Sequence, residues 1–348
     1  MSIDKKFLNL FIKVTEKAAI GASKFIGKKD KIAADKGAVD PMRKELNKIN
    51  MNAEVVIGEG ALDKAPMLYT GEILGTQNGP SFDIAVDPVE GTNFVANNLP
   101  GGIAVIAVAK KNNLFKAPET YMDKIATGKI EKGLIDLDFP LEKNIKNLSE
   151  FKNKEISSIT ACLMDIDNGV EKNIKLLAEA KSKNISDINA CVLKRPRHDN
   201  IVKELTKLNV KINYITDGDI AGALSVIGDK PKNDIYLGIG GGPEGVLAAS
   251  ALDAYDCHFQ GRFIFDNKKD INQAKEMGIK DLNKKYELHE IIRGDSIFCA
   301  TGITSSNVIE GIKIENDNYT SETFVTHKSS KLKKLIKKTS LINEWFLF

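Results

Sequence analysis

Cysteine and histidine are scarce in this chain, with four of each among 348 residues. The cysteines are scattered, at Cys162, Cys191, Cys257 and Cys299, and no two form a C-x-x-C pair. This spacing argues against a disulfide framework and a zinc ribbon, and the dispersed histidines argue against an H-E-x-x-H metal site. Any metal site is therefore expected to use oxygen ligands, and a reducing, cytoplasmic location is expected.

The chain also has a small net charge and lacks long apolar runs. The 50 basic and 47 acidic residues give a formal charge of +3, which favours neither nucleic acid nor a membrane as partner. No stretch approaches the roughly 20 apolar residues of a spanning helix. Apolar residues recur at helical spacing in the N-terminal segment, which predicts an amphipathic helix rather than a transit peptide. The lysine-rich segment 328–338 is expected to be a solvated face or a subunit contact.

Strand and helix patterns predict an α/β (α+β) fold. Glycine-bounded, β-branched runs predict strands at 54–57, 83–86, 103–109, 190–193, 211–215 and 234–239, and helices are expected at about 198–208 and from about 220. We expect an N-terminal α+β metal-binding half at 1–150, a variable Lys/Asn-rich connection at 151–187, and a C-terminal α/β half with sugar-phosphate contacts at 188–348. In such a layer, active groups lie at the C-terminal ends of strands.

The segment Asp87-Pro88-Val89-Glu90-Gly91-Thr92 directly follows the apolar strand 82–86. Proline is expected to end the strand and fix the bend, so that Asp87 and Glu90 turn toward one point. Two carboxylates placed in this way can bind hard cations such as Mg²⁺ or Mn²⁺. The N–H groups of Gly91 and Thr92 are then expected to face an anion.

Two further acids occupy similar settings. Glu59 lies between glycines after the strand 54–57, and Asp35 lies near a helix start. Taken singly, each acid would be interpreted as a helix cap or a solvated turn residue. Several carboxylates gathered together repel one another unless cations neutralise them, so jointly they indicate a metal site.

The loop 238–245 contains a G-x-G-x-x-G pattern between a predicted strand and a predicted helix. This pattern is typical of dinucleotide-binding loops. Glu244 argues against that interpretation, because its charge would repel a pyrophosphate unless a cation lay between them. A metal that bridges Glu244 and a phosphate resolves the conflict.

Two charged clusters follow the next predicted strands. The segment Lys194-Arg195-Pro196-Arg197 brings three cations together, and arginine suits a phosphate that is held and not cleaved. The aspartates of Asp217-Gly218-Asp219 could accept hydrogen bonds from sugar hydroxyls. Surface ion pairing between the two clusters is the alternative interpretation.

Taken together, D-P-V-E-G-T, V-I-G-E-G, A-P-M-L-Y, R-P-R-H-D, D-G-D and G-I-G-G-G-P-E-G resemble class II fructose-1,6-bisphosphatase of bacteria. The resemblance runs in order from about residue 8 to about residue 335. D-P-x-E-G-T alone marks the wider lithium-sensitive phosphatase superfamily, and the other segments narrow it. The resemblance implies the layered αβαβα sandwich of the sugar phosphatase and inositol monophosphatase type. It also implies a homodimer or a homotetramer.

The resemblance implies roles for individual residues. The metal ligands would be Asp35, Glu59, Asp87, Glu90 and Glu244, and the catalytic residues Thr92, Asp87 and Glu59. Substrate contacts would fall on Glu90, Gly91, Thr92, Tyr121, Arg195, Pro196, Arg197, Asp217, Gly218, Asp219 and Gly241.

The expected reaction is hydrolysis of the 1-phosphate of fructose 1,6-bisphosphate to fructose 6-phosphate and phosphate, a step of gluconeogenesis. Attack would be in line, by a water that Mn²⁺ or Mg²⁺ activates. The expected partner is a small sugar bisphosphate, with no nucleic acid and no membrane. Alternatives are a superfamily phosphatase acting on sedoheptulose 1,7-bisphosphate, inositol phosphate or a nucleotide, a dinucleotide-binding oxidoreductase module, and a non-enzymatic protein with an acidic binding patch.

Overall fold

The computed structural model describes residues 2–59, 67–163, 198–215, 218–228, 231–306 and 308–341. The chain divides into two compact units. The first comprises Met1–Ala117, Val246–Ala254 and His289–Phe348, and the second comprises Pro118–Gly245 and Tyr255–Leu288. Each unit is thus assembled from separated stretches of chain, whereas the regions expected from sequence follow chain order.

The helices of the described residues begin with an N-terminal pair. They are α1 (Lys6–Ser23), α2 (Lys31–Leu46), α3 (Thr92–Ala96), α4 (Leu141–Lys152), α5 (Asp199–Lys207), α6 (Asp219–Leu224), α7 (Gly242–Asp253), α8 (Lys268–Glu276) and α9 (Leu288–Ile291). The predicted amphipathic helix is confirmed as α1, whose residues Phe7, Phe11 and Val14 are buried. Within the described ranges, no helix combines the length and the apolar character needed to cross a membrane.

The strands alternate with these helices along much of the chain. They are β1 (Asn52–Ile57), β2 (Ile73–Leu74), β3 (Ser81–Glu90), β4 (Ile103–Lys110), β5 (Tyr121–Thr127), β6 (Thr160–Leu163), β7 (Lys211–Tyr214), β8 (Ile235–Gly241), β9 (His258–Ile264), β10 (Lys285–Glu287), β11 (Ser296–Gly302), β12 (Lys313–Glu315), β13 (Asn318–His327) and β14 (Leu332–Leu341). The predicted strand 190–193 lies outside the described residues.

The first unit is built on a mixed sheet with the strand order β12-β13-β11-β4-β3-β1-β2, to which β14 adds by pairing with β13. β1 and β3 are parallel, and the other pairs are antiparallel. α1 and α2 pack on each other, and their apolar side chains join those of the sheet in one core. Alternation in β4 places Ala104, Ile106 and Val108 in this core.

Glycine lets α1 and α2 approach closely. A Cβ at Gly21 would lie only 1.9 Å from the Gly37 carbonyl oxygen, and a Cβ at Gly37 would lie 2.6 Å from the ring of Phe25. Such distances are far below ordinary contact, so a side chain at either position would push the helices apart. Because α2 also carries Asp35, this contact helps to set the position of that carboxylate.

The second unit is built on another mixed sheet, with the strand order β10-β9-β5-β8-β6-β7. β6 is parallel to both β7 and β8, and the remaining pairs are antiparallel. Side chains of α4 and α5, including Ile145, Leu148 and Val202, pack with β6, β7 and β8 in a second core. Two mixed sheets with packed helices confirm the predicted α/β class.

One local expectation was wrong, because β3 does not end at Pro88. The strand runs from Ser81 to Glu90, and its register against β4 shifts between Asp87 and Glu90. Proline is tolerated at such an irregularity since a bulged residue need not donate to the ladder. Asp87 and Glu90 therefore belong to one strand, and the bend comes after them at Gly91.

Candidate functional site

The C-terminal end of β3 carries two buried acids. Asp87 is 8% exposed and Glu90 is 6% exposed, and the Asp87 carboxylate accepts a hydrogen bond from the Val89 N–H at 2.9 Å. Gly91 then adopts a left-handed conformation with a φ of 78°, and α3 begins at Thr92. A positive φ of this kind favours glycine. The turn after β3 therefore depends on the glycine of the D-P-V-E-G-T segment.

The hydroxyl of Thr92 links this turn to α2. Thr92 Oγ1 lies 3.2 Å from Asp35 Oδ1 and 3.0 Å from the Val89 carbonyl oxygen, so it can donate to either. α2 starts at a capped N-terminus, where the Asp30 carboxylate accepts from the Ala33 N–H at 2.9 Å. The predicted residues Asp35 and Thr92, 57 positions apart, are thus in contact.

Burial changes the acidity of Asp35. It raises the pKa of this carboxyl from 3.8 to about 6, against the opposing effect of the Thr92 hydrogen bond. Removal from water disfavours the charged form of an acid, and a nearby cation would favour it. The electrostatic setting of Asp35 is therefore one in which a bound cation would be stabilising.

Glu59 lies just beyond the end of β1. β1 runs parallel to β3, with Ile57 opposite Ala85, so Glu59 and Asp87 each lie two residues past a matched pair. The carboxyl ends of parallel strands meet at one edge of a sheet, which places the two residues at the same edge. The Glu59 N–H donates to the Leu68 carbonyl at 2.9 Å, and this bond holds the backbone of Glu59 against the segment 67–72.

An ion pair that sequence reasoning missed anchors the same segment to α2. Arg43 donates from Nε to Glu72 at 2.6 Å and from one Nη to the other Glu72 oxygen at 3.1 Å. The same guanidinium donates to the Met67 carbonyl at 2.5 Å. The forked geometry fits a guanidinium bound to a carboxylate. The acid three residues after Tyr69 was the available signal, but its partner lies 29 positions away.

The donor chemistry of these residues fits a hard divalent cation. Asp35, Glu59, Asp87 and Glu90 offer carboxylate oxygens, which Mg²⁺ and Mn²⁺ prefer. In the arrangement seen here, no group of three or more His, Cys, Asp or Glu side chains in the described ranges is placed to hold a metal ion. The structure thus places four candidate donors on neighbouring elements of the first unit without assembling them into a coordination sphere.

Several of the predicted residues that the structure describes in the second unit lie around the end of β8. Glu244 lies in the first turn of α7, and its Oε2 would lie 1.8 Å from a Cβ at Gly241. The space beside the Gly241 backbone is therefore taken by a carboxylate. A dinucleotide-binding loop would present that space to a pyrophosphate, which the Glu244 charge would repel.

Tyr121 and Gly241 lie side by side. They are directly opposite each other in the antiparallel pair of β5 and β8, and Tyr121 is 43% exposed. The Gly242 N–H donates to the Thr120 carbonyl at 2.8 Å and ties the start of α7 to this strand. Two predicted substrate contacts are thus brought together by sheet register.

Asp219 is buried among polar side chains of the second unit. Its carboxylate is 4% exposed and forms hydrogen bonds with the ammonium of Lys124 and the hydroxyl of Tyr236, both fully buried. Sequence reasoning did not identify Lys124 or Tyr236. The available signal was a lysine in the middle of a short strand, between Met122 and Ile125 and next to Asp123. Arg195, Pro196, Arg197 and Asp217 lie outside the described residues, so their predicted roles stay predictions.

Comparisons with known proteins give a consistent result. A family model described as bacterial fructose-1,6-bisphosphatase, glpX-encoded, matches residues 5–166 and 163–340. A "Fructose-1,6-bisphosphatase class 2" of Haemophilus influenzae is 36% identical over 93% of this chain and 93% of its own length. The "Fructose-1,6-bisphosphatase 1 class 2" of Escherichia coli is 36% identical over 92% of this chain and 91% of its own length.

A Synechococcus relative, named "D-fructose 1,6-bisphosphatase class 2/sedoheptulose 1,7-bisphosphatase", is 35% identical over 96% of this chain and 95% of its own length. Among solved structures, an inositol monophosphatase from Anabaena (Nostoc) matches 62% of this chain and 68% of its own, with 13% identity and a TM-score of 0.27. The family assignment therefore depends on the sequence relatives, because a TM-score this low adds no support to it.

Proposed function

Since the chain belongs to the family of bacterial, glpX-encoded fructose-1,6-bisphosphatases, we propose that it removes the 1-phosphate of fructose 1,6-bisphosphate with the acids at the ends of β1 and β3. The chain is a phosphatase that hydrolyses fructose 1,6-bisphosphate, and its family implies a divalent cation. The choice of phosphate and the residues that act are the proposal. The reaction would serve gluconeogenesis.

Asp35, Glu59, Asp87, Glu90 and Glu244 would hold the cations, either Mg²⁺ or Mn²⁺. When bound, such ions lower the pKa of a water and neutralise charge on a transferring phosphoryl group. Asp87 and Glu90 are buried near the end of β3, and Asp35 is half-buried on α2. Their charges would therefore act in surroundings where water screens them weakly.

The hydrogen bond between Thr92 and Asp35 is the observation that carries the proposal. It joins the D-P-V-E-G-T turn to an acid from a separate helix, at a distance of 3.2 Å. A hydroxyl held between a carboxylate and a backbone carbonyl can orient a water and pass a proton to the carboxylate. Asp35 offers that carboxylate, with its Oδ1 within hydrogen-bonding distance of the Thr92 hydroxyl.

The rest of the substrate would be held by the second unit and by the arginine segment. Arg195 and Arg197, flanking Pro196, would bind the 6-phosphate, with Tyr121 as a further contact. The other proposed substrate contacts are Asp217, Gly218, Asp219 and Gly241, together with Glu90, Gly91 and Thr92. The exposure of Tyr121 and its pairing with Gly241 support this assignment.

Phosphate release from purified, metal-depleted protein tests the proposal. Fructose 1,6-bisphosphate should yield fructose 6-phosphate and one phosphate when Mg²⁺ or Mn²⁺ is added, and lithium should inhibit. Asp87→Ala and Glu59→Ala should fold normally and lose turnover. Near-normal turnover in either variant would refute the metal-ligand assignment.

Sedoheptulose 1,7-bisphosphate is a second candidate substrate. The Synechococcus relative, whose match covers 96% of this chain, is named for that activity as well. We propose that the same site accepts both sugars, because both carry a phosphate at each end. Competition assays decide the matter, since a shared site requires each bisphosphate to inhibit hydrolysis of the other with an inhibition constant equal to its own KM.

We also propose a homodimer or homotetramer in the cytoplasm. Family membership supports the assembly, and the scarcity of cysteine supports a reducing compartment. Light scattering coupled to size-exclusion chromatography measures the first, and a monomer at micromolar concentration would contradict it. Cell fractionation measures the second, and recovery outside the soluble cytoplasmic fraction would contradict it.

A further inference from the structure

A buried polar cluster lies next to the junction of β8 with α7, the helix that carries Glu244. Lys124 projects from the middle of β5, and its ammonium donates to the Asp219 carboxylate and, at 2.9 Å, to the Gly241 carbonyl. The other Asp219 oxygen accepts from the Tyr236 hydroxyl. Lys124 and Tyr236 are fully buried, and Asp219 is 4% exposed. We call Lys124, Asp219 and Tyr236 the Lys124 cluster.

The backbone around the Lys124 cluster is fitted closely to it. A Cβ at Gly240 would lie 2.1 Å from Asp219 Oδ2, and a Cβ at Gly245 would lie 3.4 Å from Lys124 Cδ. The Asp219 carboxylate therefore requires glycine at position 240, whether or not this glycine-rich segment also approaches a phosphate. The Lys124 side chain thus hydrogen-bonds the end of β8 at Gly241 and lies beside Gly245 in α7.

A buried ion pair is a poor source of stability. Removing two charges from water costs free energy that their attraction repays only with good geometry and further hydrogen bonds. Here each partner has such a bond, from Lys124 to the Gly241 carbonyl and from Tyr236 to Asp219. The cluster instead fixes the relative position of two elements, because one ammonium is hydrogen-bonded to both the start of α6 and the end of β8.

We propose that the Lys124 cluster is a positioning device for Glu244: it holds the Gly241 carbonyl and hence the first turn of α7, on which Glu244 lies. The inference rests on the proposed role of Glu244 as a metal ligand. Residues that contact a metal ligand and orient it, without contacting the metal, typically change metal affinity 10–100-fold when they are replaced.

Mn²⁺ binding to the metal-free, full-length chain, measured without substrate, tests the proposal. Lys124→Met, Asp219→Asn and the double variant should each weaken Mn²⁺ binding by about tenfold or more, and their effects should not add, because both act through one cluster. Tyr236→Phe keeps both charges and removes one hydroxyl. It should weaken Mn²⁺ binding several-fold, and it provides the test should Lys124→Met fail to fold.

Two controls separate the possible outcomes. Lys152→Met breaks another largely buried ion pair of the second unit, with Asp234, and should lower the melting temperature without changing Mn²⁺ affinity. Glu244→Gln should weaken Mn²⁺ binding directly. If it does, and Lys124→Met and Tyr236→Phe change only the melting temperature, the positioning role is refuted and the metal assignment stands.

Two further results would also overturn the proposal. Normal Mn²⁺ affinity in Glu244→Gln would remove the metal assignment on which the positioning role rests. Normal Mn²⁺ affinity in Asp219→Asn, together with a raised KM for the sugar bisphosphate, would show that Asp219 acts on the sugar alone and does not position Glu244.

Discussion

At the scale of single residues, two oxygen atoms of the first unit lie within hydrogen-bonding distance of one hydroxyl, that of Thr92. Thr92 lies within hydrogen-bonding distance of an acid from α2 and of a carbonyl in its own turn. Neither neighbour is close to it in an extended chain. The chemical role proposed for Thr92 would depend on the side-chain oxygen, so a variant that keeps the shape of the side chain can test it.

Thr92→Val keeps the shape of the side chain and removes its oxygen. We expect kcat to fall by roughly 100-fold or more, the range for loss of a group that handles a proton, with little change in KM. Steady-state kinetics with fructose 1,6-bisphosphate measures both constants. Thr92→Ser is the matched control and should retain most of the activity, and an active Thr92→Val enzyme would show that the hydroxyl takes no part.

Asp295 illustrates a carboxylate with a purely structural role. It accepts hydrogen bonds from the N–H groups of Ile3 at 2.5 Å, Ser296 at 3.0 Å and Ser329 at 2.8 Å, and lies 3.1 Å from His327 Nε2. Burial alone would raise the pKa of this carboxyl, but the N–H donors outweigh burial and hold it below 3.8.

The sign of the resulting pH dependence follows from the lowered pKa. The folded state favours the charged form, so the stabilisation is present above about pH 4 and is lost as the pH falls through the folded-state pKa. Asp295→Asn should lower the free energy of unfolding at pH 7 by about 2 kcal/mol, and the difference from the parent protein should shrink below pH 4. Urea unfolding at pH 7, 5 and 3.5 measures it. Exposed Glu315→Gln is the control, and a difference that stays constant with pH would contradict the assignment.

At the scale of elements, glycine decides how α1 meets α2. The near contact of Gly21 with the Gly37 carbonyl places α2, and with it Asp35, on the first sheet. Periodicity predicted α1 from its buried apolar residues, but it gave no indication of which residue the helix would meet. Close approach of two helices depends on residues that are far apart in the chain.

Gly21→Ala should destabilise the protein although alanine is the better helix former. Helix propensity favours alanine by about 1 kcal/mol, whereas a Cβ placed 1.9 Å from a carbonyl oxygen forces the helices apart. The clash should dominate, with a net loss of about 1–3 kcal/mol in the free energy of unfolding. Urea denaturation measures the change. Asn9→Ala, at an exposed position of α1, should be neutral or stabilising, and a stabilised Gly21→Ala protein would show that the helices can separate freely.

β3 shows why a strand end is hard to predict. Pro88 removes a backbone donor, and the expected consequence was a strand that stops. The register shift between Asp87 and Glu90 lets β3 continue along β4 instead. Only the partner strand decides whether a missing donor ends a ladder or falls at a bulge.

At the scale of the whole molecule, cation binding should be visible as stability. A ligand that binds only the folded state adds about 2.7 kcal/mol when its concentration is 100 times its Kd. Mn²⁺ should therefore raise the melting temperature of the metal-free chain. Differential scanning calorimetry with and without Mn²⁺ measures this shift.

The variants for this measurement lie on one strand. Asp87→Asn should abolish the Mn²⁺-induced shift. Asp83 is buried on the same strand and accepts from the N–H groups of Asn113 and Leu114, so Asp83→Asn should lower the melting temperature but keep the shift. An unchanged shift in Asp87→Asn would remove that residue from the ligand set.

The sequence by itself determined the class of fold, five of the fourteen strands of the described residues, and the chemical character of the site. Apolar alternation and glycine-bounded runs are local, and the oxygen donors follow from which residue types are present and absent. The ordered motifs also identified the family. These features need no knowledge of which distant segments meet.

Tertiary structure alone decided what each of those residues touches. Asp219 carries the same carboxylate as the other candidate acids, yet folding surrounds it with Lys124 and Tyr236, 95 and 17 positions away. Thr92 reaches Asp35 across 57 positions, and each compact unit combines stretches that the chain keeps apart. The physical reason is that hydrogen bonds and burial depend on distance in space, which strand pairing and helix packing set and which spacing along the chain does not encode.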